Sequence, residues 1–310
     1  MNIVSLLPSA TEIICELGLR SQLVGVTHEC DYPPSVEHLP KVTQSLIPVD
    51  ATSREIDGLV RDRLQNSQAL YSLDHSVLER VCPDVIVTQS LCDVCAVAED
   101  EVRAAASSLP SKPQVIDLAP TRLVDVLDCM RRVGEVAGEQ APAQHVITGL
   151  EARLDAVQRR TDKIATEHRP NALLLEWIDP PFSAGHWSPE LVERAGGVEA
   201  IGVAGHRSES VSWNRILEAD PDVLVIACCG FSVRRTCEDL PILLSYPGWD
   251  SLSCAKTERV YVVDGSAYFS RPGPRLVDSL EILAHALHPD HHPLPAGLPA
   301  AIQLDAISRL

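Results

Sequence analysis

Short runs of apolar residues alternate along this chain with segments in which apolar residues recur every three or four positions. The first pattern is typical of buried strands and the second of amphipathic helices, so their alternation indicates βαβ units around a parallel sheet. The first half of the chain predicts strands near 2–6, 22–27, 69–72, 84–88 and 114–118. It predicts helices near 9–18, 53–66, 75–82, 98–108 and 121–138.

The second half repeats this organisation. Its predicted strands lie near 172–177, 200–203, 222–227 and 260–264, and its predicted helices near 188–195, 213–218, 234–245 and 274–287. The strand entry Pro83-Asp84-Val85 in the first half returns as Pro221-Asp222-Val223 in the second. Two related α/β lobes are therefore predicted, and a cleft between two lobes is a common place to bind a ligand.

Between the lobes, an apolar stripe with helical spacing predicts one long helix over 141–167. At 1.5 Å per residue it would be roughly 35–40 Å long, enough to reach from one lobe to the other. We predict an N-terminal lobe at 1–120, a helical connection at 121–168, a C-terminal lobe at 169–290 and a loosely packed tail at 291–310. The tail histidines, at 288, 291 and 292, are interpreted as solvated rather than as a metal tract.

Charge and hydropathy exclude two classes of partner. A formal charge of −17, from 43 acidic and 26 basic residues, disfavours binding to a nucleic acid backbone. No window approaches the roughly 20 apolar residues of a membrane span.

The N-terminus shows no signal peptide, so the sequence as it stands predicts a cytoplasmic protein, or a periplasmic or membrane-associated one if the true start lies upstream. The ten cysteines are interpreted as mostly reduced and buried, which favours a reducing compartment.

A histidine, a carboxylate and a thiol leave the second predicted strand together as His28, Glu29 and Cys30. Cys92 and Cys95 follow another strand of the same sheet, with the two-residue spacing that suits a shared metal ion or a disulfide. With Cys30 and His28 they would complete a tetrahedral Cys₃His site for zinc or another metal. The alternatives are a local disulfide and buried thiols beneath a loop.

Rare aromatic residues cluster in the second lobe. Three of the chain's four tryptophans, Trp177, Trp187 and Trp213, lie within one short region, and His186 precedes Trp187. After a later strand come Tyr268, Phe269 and Arg271. Aromatic faces in a cleft suit a large planar or macrocyclic ligand, whereas the alternative places one or two of these tryptophans in the core.

Sequence signatures of several enzyme classes are missing. The chain has no G-x-S-x-G nucleophile elbow, P-loop, G-x-G-x-x-G fingerprint or H-E-x-x-H zinc helix. We therefore predict a protein that is not an enzyme and requires no cofactor.

The opening octet Ser5 to Glu12, the paired Pro-Asp-Val strands and the long helix resemble the vitamin B12 and iron-siderophore substrate-binding proteins of ABC importers. This resemblance implies two Rossmann-like lobes with mostly parallel sheets, bridged by one rigid α-helix. It also implies a cobalamin or ferric chelate held between the lobes, and an ABC permease as partner. The loops around His28, Cys92 and His186 resemble the cobalamin-binding branch.

The predicted function is non-catalytic binding of a corrinoid, within an uptake system or as a cytoplasmic relative. His28 or His186 would supply an axial nitrogen to cobalt. The alternatives are binding of a ferric siderophore or other metal chelate, a zinc- or redox-responsive protein, and a thiol-dependent corrinoid-processing enzyme. The predicted ligand-binding residues are His28, Glu29, Tyr32, Trp177, His186, Trp187, Trp213, Tyr268, Phe269 and Arg271.

Overall fold

The chain divides into two α/β units in a computed structural model, which describes residues 1–48, 51–66, 69–90 and 97–307. Unit 1 comprises Met1–Pro120 and Val124–Thr148, and unit 2 comprises Thr121–Leu123 and Gly149–Leu310. The predicted fold class is confirmed.

Unit 1 contains the first six strands, the first four helices, nearly all of the fifth helix and the first part of the sixth. Its strands are β1 (Ile3–Ser5), β2 (Leu23–Gly25), β3 (Thr43–Ser45), β4 (Tyr71–Leu73), β5 (Val85–Thr88) and β6 (Gln114–Asp117). The helices are α1 (Pro8–Glu16), α2 (Ser53–Gln65), α3 (His75–Val81), α4 (Glu99–Ser108), α5 (Leu123–Ala137) and α6 (Gln140–Thr161). Helix α6 contains the chain boundary between the two units, after Thr148.

The main sheet of unit 1 is parallel, with strand order β2-β1-β5-β6. Ile3 pairs with Val85 and Val4 with Ile86. Every residue of β1 and β5 is buried, which explains why these strands are continuous apolar runs without alternation. Val102 of α4 belongs to the same buried cluster as Val4 and Ile86.

Unit 2 is built around a larger, mixed sheet. Its strands are β7 (Asn171–Trp177), β8 (Phe182–Ser183), β9 (Val198–Glu199), β10 (Glu209–Ser210), β11 (Val223–Ile226), β12 (Val260–Val262) and β13 (Ile302–Gln303). Its helices are α7 (Ser188–Arg194), α8 (Trp213–Ala219), α9 (Val233–Ser245), α10 (Ser253–Lys256), α11 (Leu276–Leu287) and α12 (Leu304–Ile307). The strand order is β10-β8-β7-β11-β12-β13, with β9 pairing with β7.

The centre of this sheet is parallel, because β7, β11 and β12 run in the same direction. Strands β8, β10 and β13 are antiparallel to their neighbours. The buried cluster of unit 2 includes Leu173, Leu224 and Val260, one from each central strand. The loops that follow β7, β11 and β12 therefore leave the same edge of the sheet, where ligands bind in folds of this type.

The Pro-Asp-Val repeat corresponds to a repeated structural link. In unit 1 the backbone N–H of Asn2 donates to the Asp84 carboxylate at 2.7 Å. In unit 2 the backbone N–H of Asn171 donates to the Asp222 carboxylate at 2.9 Å. Each link joins the start of the first strand of a unit to the residue just before a central strand, so both halves set their strand register in the same way.

Two strand predictions need correction. The strand predicted at 69–72 is β4, which pairs antiparallel with β3 in a separate ribbon rather than in the parallel sheet. The strand predicted at 200–203 is wrong, because no strand covers those residues; the nearby strand is β9, which comprises Val198 and Glu199 and ends before the predicted start. It ends there because the Glu199 carboxylate accepts the backbone N–H groups of Ile201 and Gly202, at 3.2 and 3.0 Å, and a turn replaces the strand ladder.

Two further predictions are wrong, one for the end of helix α6 and one for the C-terminal tail. Helix α6 ends at Thr161 rather than 167, where the Arg169 guanidinium donates to the Thr161 carbonyl at 3.3 Å. The tail predicted to be loosely packed contributes β13, which pairs with β12, and α12, which packs on the core. His292 is only 2% exposed and its Nε2 lies 3.2 Å from Thr161 Oγ1, so this histidine is part of the folded unit and not solvated.

Candidate functional site

His28 lies beyond the carboxyl-terminal end of β2, three residues after that strand ends. Its Nδ1 is 2.8 Å from Thr43 Oγ1, and its backbone N–H donates to the same hydroxyl oxygen at 3.2 Å. The imidazole ring lies 5.6 Å from the Tyr71 ring. The side chain is 27% exposed, so part of the ring stays accessible.

The environment of His28 favours the neutral imidazole. Burial lowers the pKa of His28 below its ordinary value of 6.5, and the positive charge of Lys41 lowers it further. A carboxylate oxygen of Glu29 lies 3.9 Å from His28 Nε2. Neutral imidazole is the form that binds a metal ion, so this residue is suited to metal coordination at neutral pH.

Cys30 points into the interior of unit 1. It is 3% exposed, and its Sγ lies 3.1 Å from Thr11 Oγ1 and 3.3 Å from Thr27 Oγ1. Burial raises the pKa of the Cys30 thiol, which disfavours the thiolate that zinc requires. Cys30 as placed here does not fit a zinc ligand.

The other two predicted zinc ligands, Cys92 and Cys95, lie outside the described residues. Within the described ranges, no group of three or more His, Cys, Asp and Glu residues could hold a metal ion. The eight cysteines in those ranges are free, and four of them are buried.

Glu29 and Tyr32 continue the His28 loop. The Glu29 backbone N–H donates to Thr27 Oγ1 at 3.1 Å, and its side chain is 45% exposed. Tyr32 is also exposed, and a cis peptide bond joins it to Pro33. Both side chains are accessible to a ligand.

Trp177 is the last residue of β7 in unit 2, and it packs against an aromatic residue from the neighbouring loop. The Phe231 ring, which follows β11, lies 4.8 Å from the Trp177 ring. The Arg235 guanidinium lies 4.3 Å from the centre of the Phe231 ring. Trp177 is half-buried, and its Nε1–H donates to the Asp179 carbonyl at 3.1 Å.

A second group brings His186 and Trp187 to the loop that follows β12. Trp187 is 6% exposed, and its Nε1–H donates to the Phe269 carbonyl at 2.9 Å. The His186 and Trp187 rings lie 5.5 Å apart. His186 has a φ of +52°, and its backbone N–H donates to the His206 carbonyl at 2.6 Å.

The His186 imidazole is less available than that of His28. Its Nε2 is buried and makes no hydrogen bond within the described part of the chain. Burial lowers the pKa of His186, and Arg207 contributes to the same shift. A ligand could reach this nitrogen only if the surrounding loop moved.

Tyr268, Phe269 and Arg271 lie in or just after a short π-helix, Gly265–Phe269. The Arg275 guanidinium lies 5.6 Å from the Tyr268 ring centre, and Tyr268 is half-buried. Arg271 is 8% exposed and donates to Ser266 Oγ at 3.2 Å. Of these side chains, that of Tyr268 is the more accessible.

Trp213 belongs to a third aromatic group. It stacks on Tyr246 with a ring separation of 4.5 Å and lies 6.3 Å from Trp249, and its Nε1–H donates to the Pro247 carbonyl at 2.7 Å. The three tryptophans predicted to form one cluster are thus distributed over three separate packing groups. Their role in ligand binding stays a prediction.

A family model for periplasmic binding proteins matches residues 3–267. The chain belongs to the periplasmic binding protein family. The resemblance inferred from the opening octet and the long helix is therefore confirmed at the level of the family.

This periplasmic binding protein is 22% identical over 291 residues to the uncharacterized ABC transporter substrate-binding lipoprotein YvrC of Bacillus subtilis, with 93% of this chain and 80% of the relative covered. A periplasmic heme binding protein from Pseudomonas aeruginosa has a TM-score of 0.72 at 20% identity, with 97% of each chain covered. The periplasmic vitamin B12 binding protein BtuF of Vibrio cholerae has a TM-score of 0.65 at 18% identity, with 92% of this chain and 96% of that chain covered. At these identities the two solved structures establish a shared fold.

Family membership confirms the general class of function. Periplasmic binding proteins of this family are non-catalytic substrate-binding components of ABC uptake systems, with a small-molecule ligand and a permease partner. Within residues 1–48, 51–66, 69–90 and 97–307, no helix of this periplasmic binding protein is long and apolar enough to cross a membrane.

Sequence reasoning missed two residues that shape these groups. Phe231 follows the predicted strand 222–227 within a few residues, and this position after a strand could have identified it as a candidate site residue. Thr43, which orients His28, lies 15 residues further along the chain on a strand that was not predicted. No local pattern connects it with His28.

Proposed function

We propose that this protein binds a corrinoid and delivers it to the permease of an ABC importer. The observation that carries the proposal is the environment of His28: a neutral imidazole that is 27% exposed, follows the carboxyl-terminal end of β2 and is oriented by a hydroxyl group. The residues predicted to contact the ligand are those on the sheet-edge loops of each unit.

The contact with Thr43 bears on which nitrogen of His28 is available. If Nδ1–H donates to Thr43 Oγ1, the lone pair resides on Nε2. Histidines that bind metals are commonly oriented in this way by a hydrogen bond at the other nitrogen. This geometry supports His28 rather than His186 as the axial ligand to cobalt, because His186 Nε2 is buried.

A ferric chelate such as heme is the second candidate. Neutral imidazole also binds heme iron, and the Pseudomonas aeruginosa structure with a similar fold is named as a heme binding protein. The half-buried Trp177 and Tyr268 offer aromatic surface to either macrocycle. The two candidate ligands, a corrinoid and heme, would use the same protein residues and differ in the metal ion and in the macrocycle that holds it.

Titration of the protein with aquocobalamin, hemin and a ferric hydroxamate siderophore separates these candidates. We expect tryptophan quenching at a 1:1 ratio and a shift of the corrinoid absorption bands with aquocobalamin. His28→Ala is expected to abolish the band shift and to weaken binding about tenfold or more, a loss of about 1.4 kcal/mol. The exposed His38, ten residues further along the chain, provides a matched control as His38→Ala.

Each outcome of the titration has a distinct meaning. Binding of hemin in preference to aquocobalamin would replace the corrinoid by heme and keep the axial histidine. An unchanged band shift in His28→Ala, with its loss in His186→Ala, would transfer the axial role to His186. Absence of binding to all three compounds would contradict the proposal.

We also propose that the protein works outside the cytoplasm. The relatives are named as periplasmic proteins or as a lipoprotein, which supports the periplasmic alternative of the sequence prediction. Cell fractionation with one periplasmic and one cytoplasmic marker enzyme tests this location, and exclusive recovery with the cytoplasmic marker would contradict it.

A further inference from the structure

A groove with a volume of about 600 Å³ lies in unit 2, next to the amino-terminal end of β12. Tyr268 and Arg271 follow the opposite end of that strand, so the groove is distinct from the loops described above. Its volume is within the range of about 300–1,000 Å³ that small-molecule sites occupy. Apolar side chains from four elements form its wall, among them Leu240, Trp249, Val260 and Leu304.

The rim of the groove is negatively charged. Three carboxylates, those of Asp250, Glu258 and Asp305, line it together with one ammonium group, that of Lys256. The Lys256 ammonium donates to the Ser251 carbonyl at 2.5 Å. The carboxylates of Asp250 and Glu258 have no hydrogen bond or ion pair with any residue in the described ranges.

An aromatic ring forms part of the wall. Trp249 is 7% exposed, and the Trp213 ring lies 6.3 Å from it in a stacked arrangement. Indole is the side chain whose face attracts organic cations most strongly. Apolar surface, an indole and carboxylates that pair with no described residue are thus combined in a single groove.

We propose that this groove binds an organic cation with an apolar arm, of the alkylammonium class. The arm would lie against the apolar wall, and the cationic head would lie near Asp250 and Glu258. This site is independent of the proposed corrinoid function, because none of the residues that line the groove is among the predicted corrinoid contacts.

Cys237 provides a local reporter, because its half-buried thiol lines the same groove. The probe is decyltrimethylammonium below its critical micelle concentration, and the readout is the alkylation rate of Cys237 by iodoacetamide, followed by peptide mass spectrometry. We expect saturable protection of at least fivefold, with binding at one site per chain in isothermal calorimetry. Decyl sulfate, with the same arm and the opposite charge, is expected to protect at least tenfold less well at the same concentration.

A charge-removing variant tests the rim. Asp250→Asn combined with Glu258→Gln is expected to weaken binding of decyltrimethylammonium by about three- to tenfold. Neither carboxylate pairs with another described residue, so the double variant removes no described contact within the fold. Asp290→Asn, at an exposed site elsewhere in unit 2, is the matched control. The proposal is overturned if decyl sulfate protects Cys237 equally, if decyltrimethylammonium leaves its alkylation rate unchanged, or if the double variant binds like the control.

Discussion

Replacement of Arg153 by methionine tests how α6 is held to α11. The Arg153 guanidinium donates to both carboxylate oxygens of Glu281, at 3.2 and 2.6 Å, and also to Asp278. The side chains of Asp278 and Glu281 are 18% and 11% exposed, whereas that of Arg153 is 39% exposed. This arrangement is therefore a partly buried ion triad, which methionine would interrupt while keeping most of the side-chain volume.

The expected loss in the free energy of unfolding is about 2 kcal/mol. A hydrogen bond to a charged group contributes about 1.5–3 kcal/mol where it is sheltered, but an exposed ion pair contributes less than about 1 kcal/mol. Because the guanidinium is more than one third exposed, we take a value between these limits. The two carboxylates left one helical turn apart would add a few tenths of a kcal/mol of repulsion.

Urea unfolding at pH 7, followed by tryptophan fluorescence, measures this loss in unit 2 specifically. All four tryptophans, at 177, 187, 213 and 249, lie in that unit. Arg103→Met is the matched control, since Arg103 pairs with Glu99 on an exposed surface of α4 in unit 1. It should leave the fluorescence transition unchanged.

A double-mutant cycle gives the decisive result. Arg153→Met and Glu281→Gln together should lose less stability than the sum of the two single variants, with a coupling energy of at least about 1 kcal/mol. A coupling energy near zero would show that the guanidinium contributes by packing alone and would refute the electrostatic reasoning.

Three other stability predictions follow from buried groups. Burial, with His288 nearby, lowers the pKa of His292 from 6.5 to about 4, so its stabilising contribution is complete above pH 6.5 and is lost as the pH falls through 4. The free energy of unfolding from urea titrations should fall by about 1–3 kcal/mol in wild type over this window, and an equal fall in His292→Gln would contradict this assignment. Burial raises the pKa of Glu199 from 4.5 to about 7, so the stability of the protein falls as the pH rises from 4.5 through 7. At pH 8, Glu199→Gln should therefore unfold at a higher urea concentration than wild type. A lower urea midpoint for the variant would contradict this prediction. Gly265→Ala would place a methyl group 2.1 Å from the Cys228 carbonyl oxygen and should lower the free energy of unfolding by about 3 kcal/mol or more. Gly149→Ala, in open space on α6, should instead raise it by about 0.5–1 kcal/mol. Similar melting temperatures for the two variants would show that the loop at Gly265 relaxes freely.

The sequence predicts the central elements of this fold well, because their signals are local. The buried strands β1, β5, β7 and β11 are continuous apolar runs, and α2 and α9 have amphipathic spacing. The Pro-Asp-Val repeat predicts a repeated unit because both copies retain their aspartate links to the start of the unit.

Elements that depend on distant partners are less predictable. Strand β3 is only three residues long and contains Gln44 and Ser45, so no apolar pattern distinguishes it from a loop. Strand β13 is also short, and it forms because β12 offers a free edge. Such pairings are determined by tertiary structure rather than by local preference.

The candidate site shows the same division. The positions of His28 and Trp177 at strand ends follow from the strand pattern, but their surroundings do not. Thr43 approaches His28 from another strand, and Phe231 approaches Trp177 from another loop. The burial of His186 Nε2 depends on a loop that returns at His206, twenty residues away.

The place of β13 in the sheet has a consequence for the order in which the protein is made. A chain folds as it is synthesised, with N-terminal domains completed first. Unit 2 acquires its last edge strand only when Ile302 and Gln303 have left the ribosome, some forty residues after β12 has been made. Until then β12 presents unpaired backbone groups, a configuration that invites association with other chains. The interval between the synthesis of β12 and that of β13 is thus one in which unit 2 is open to association with other chains, and one in which a chaperone would be of use to it.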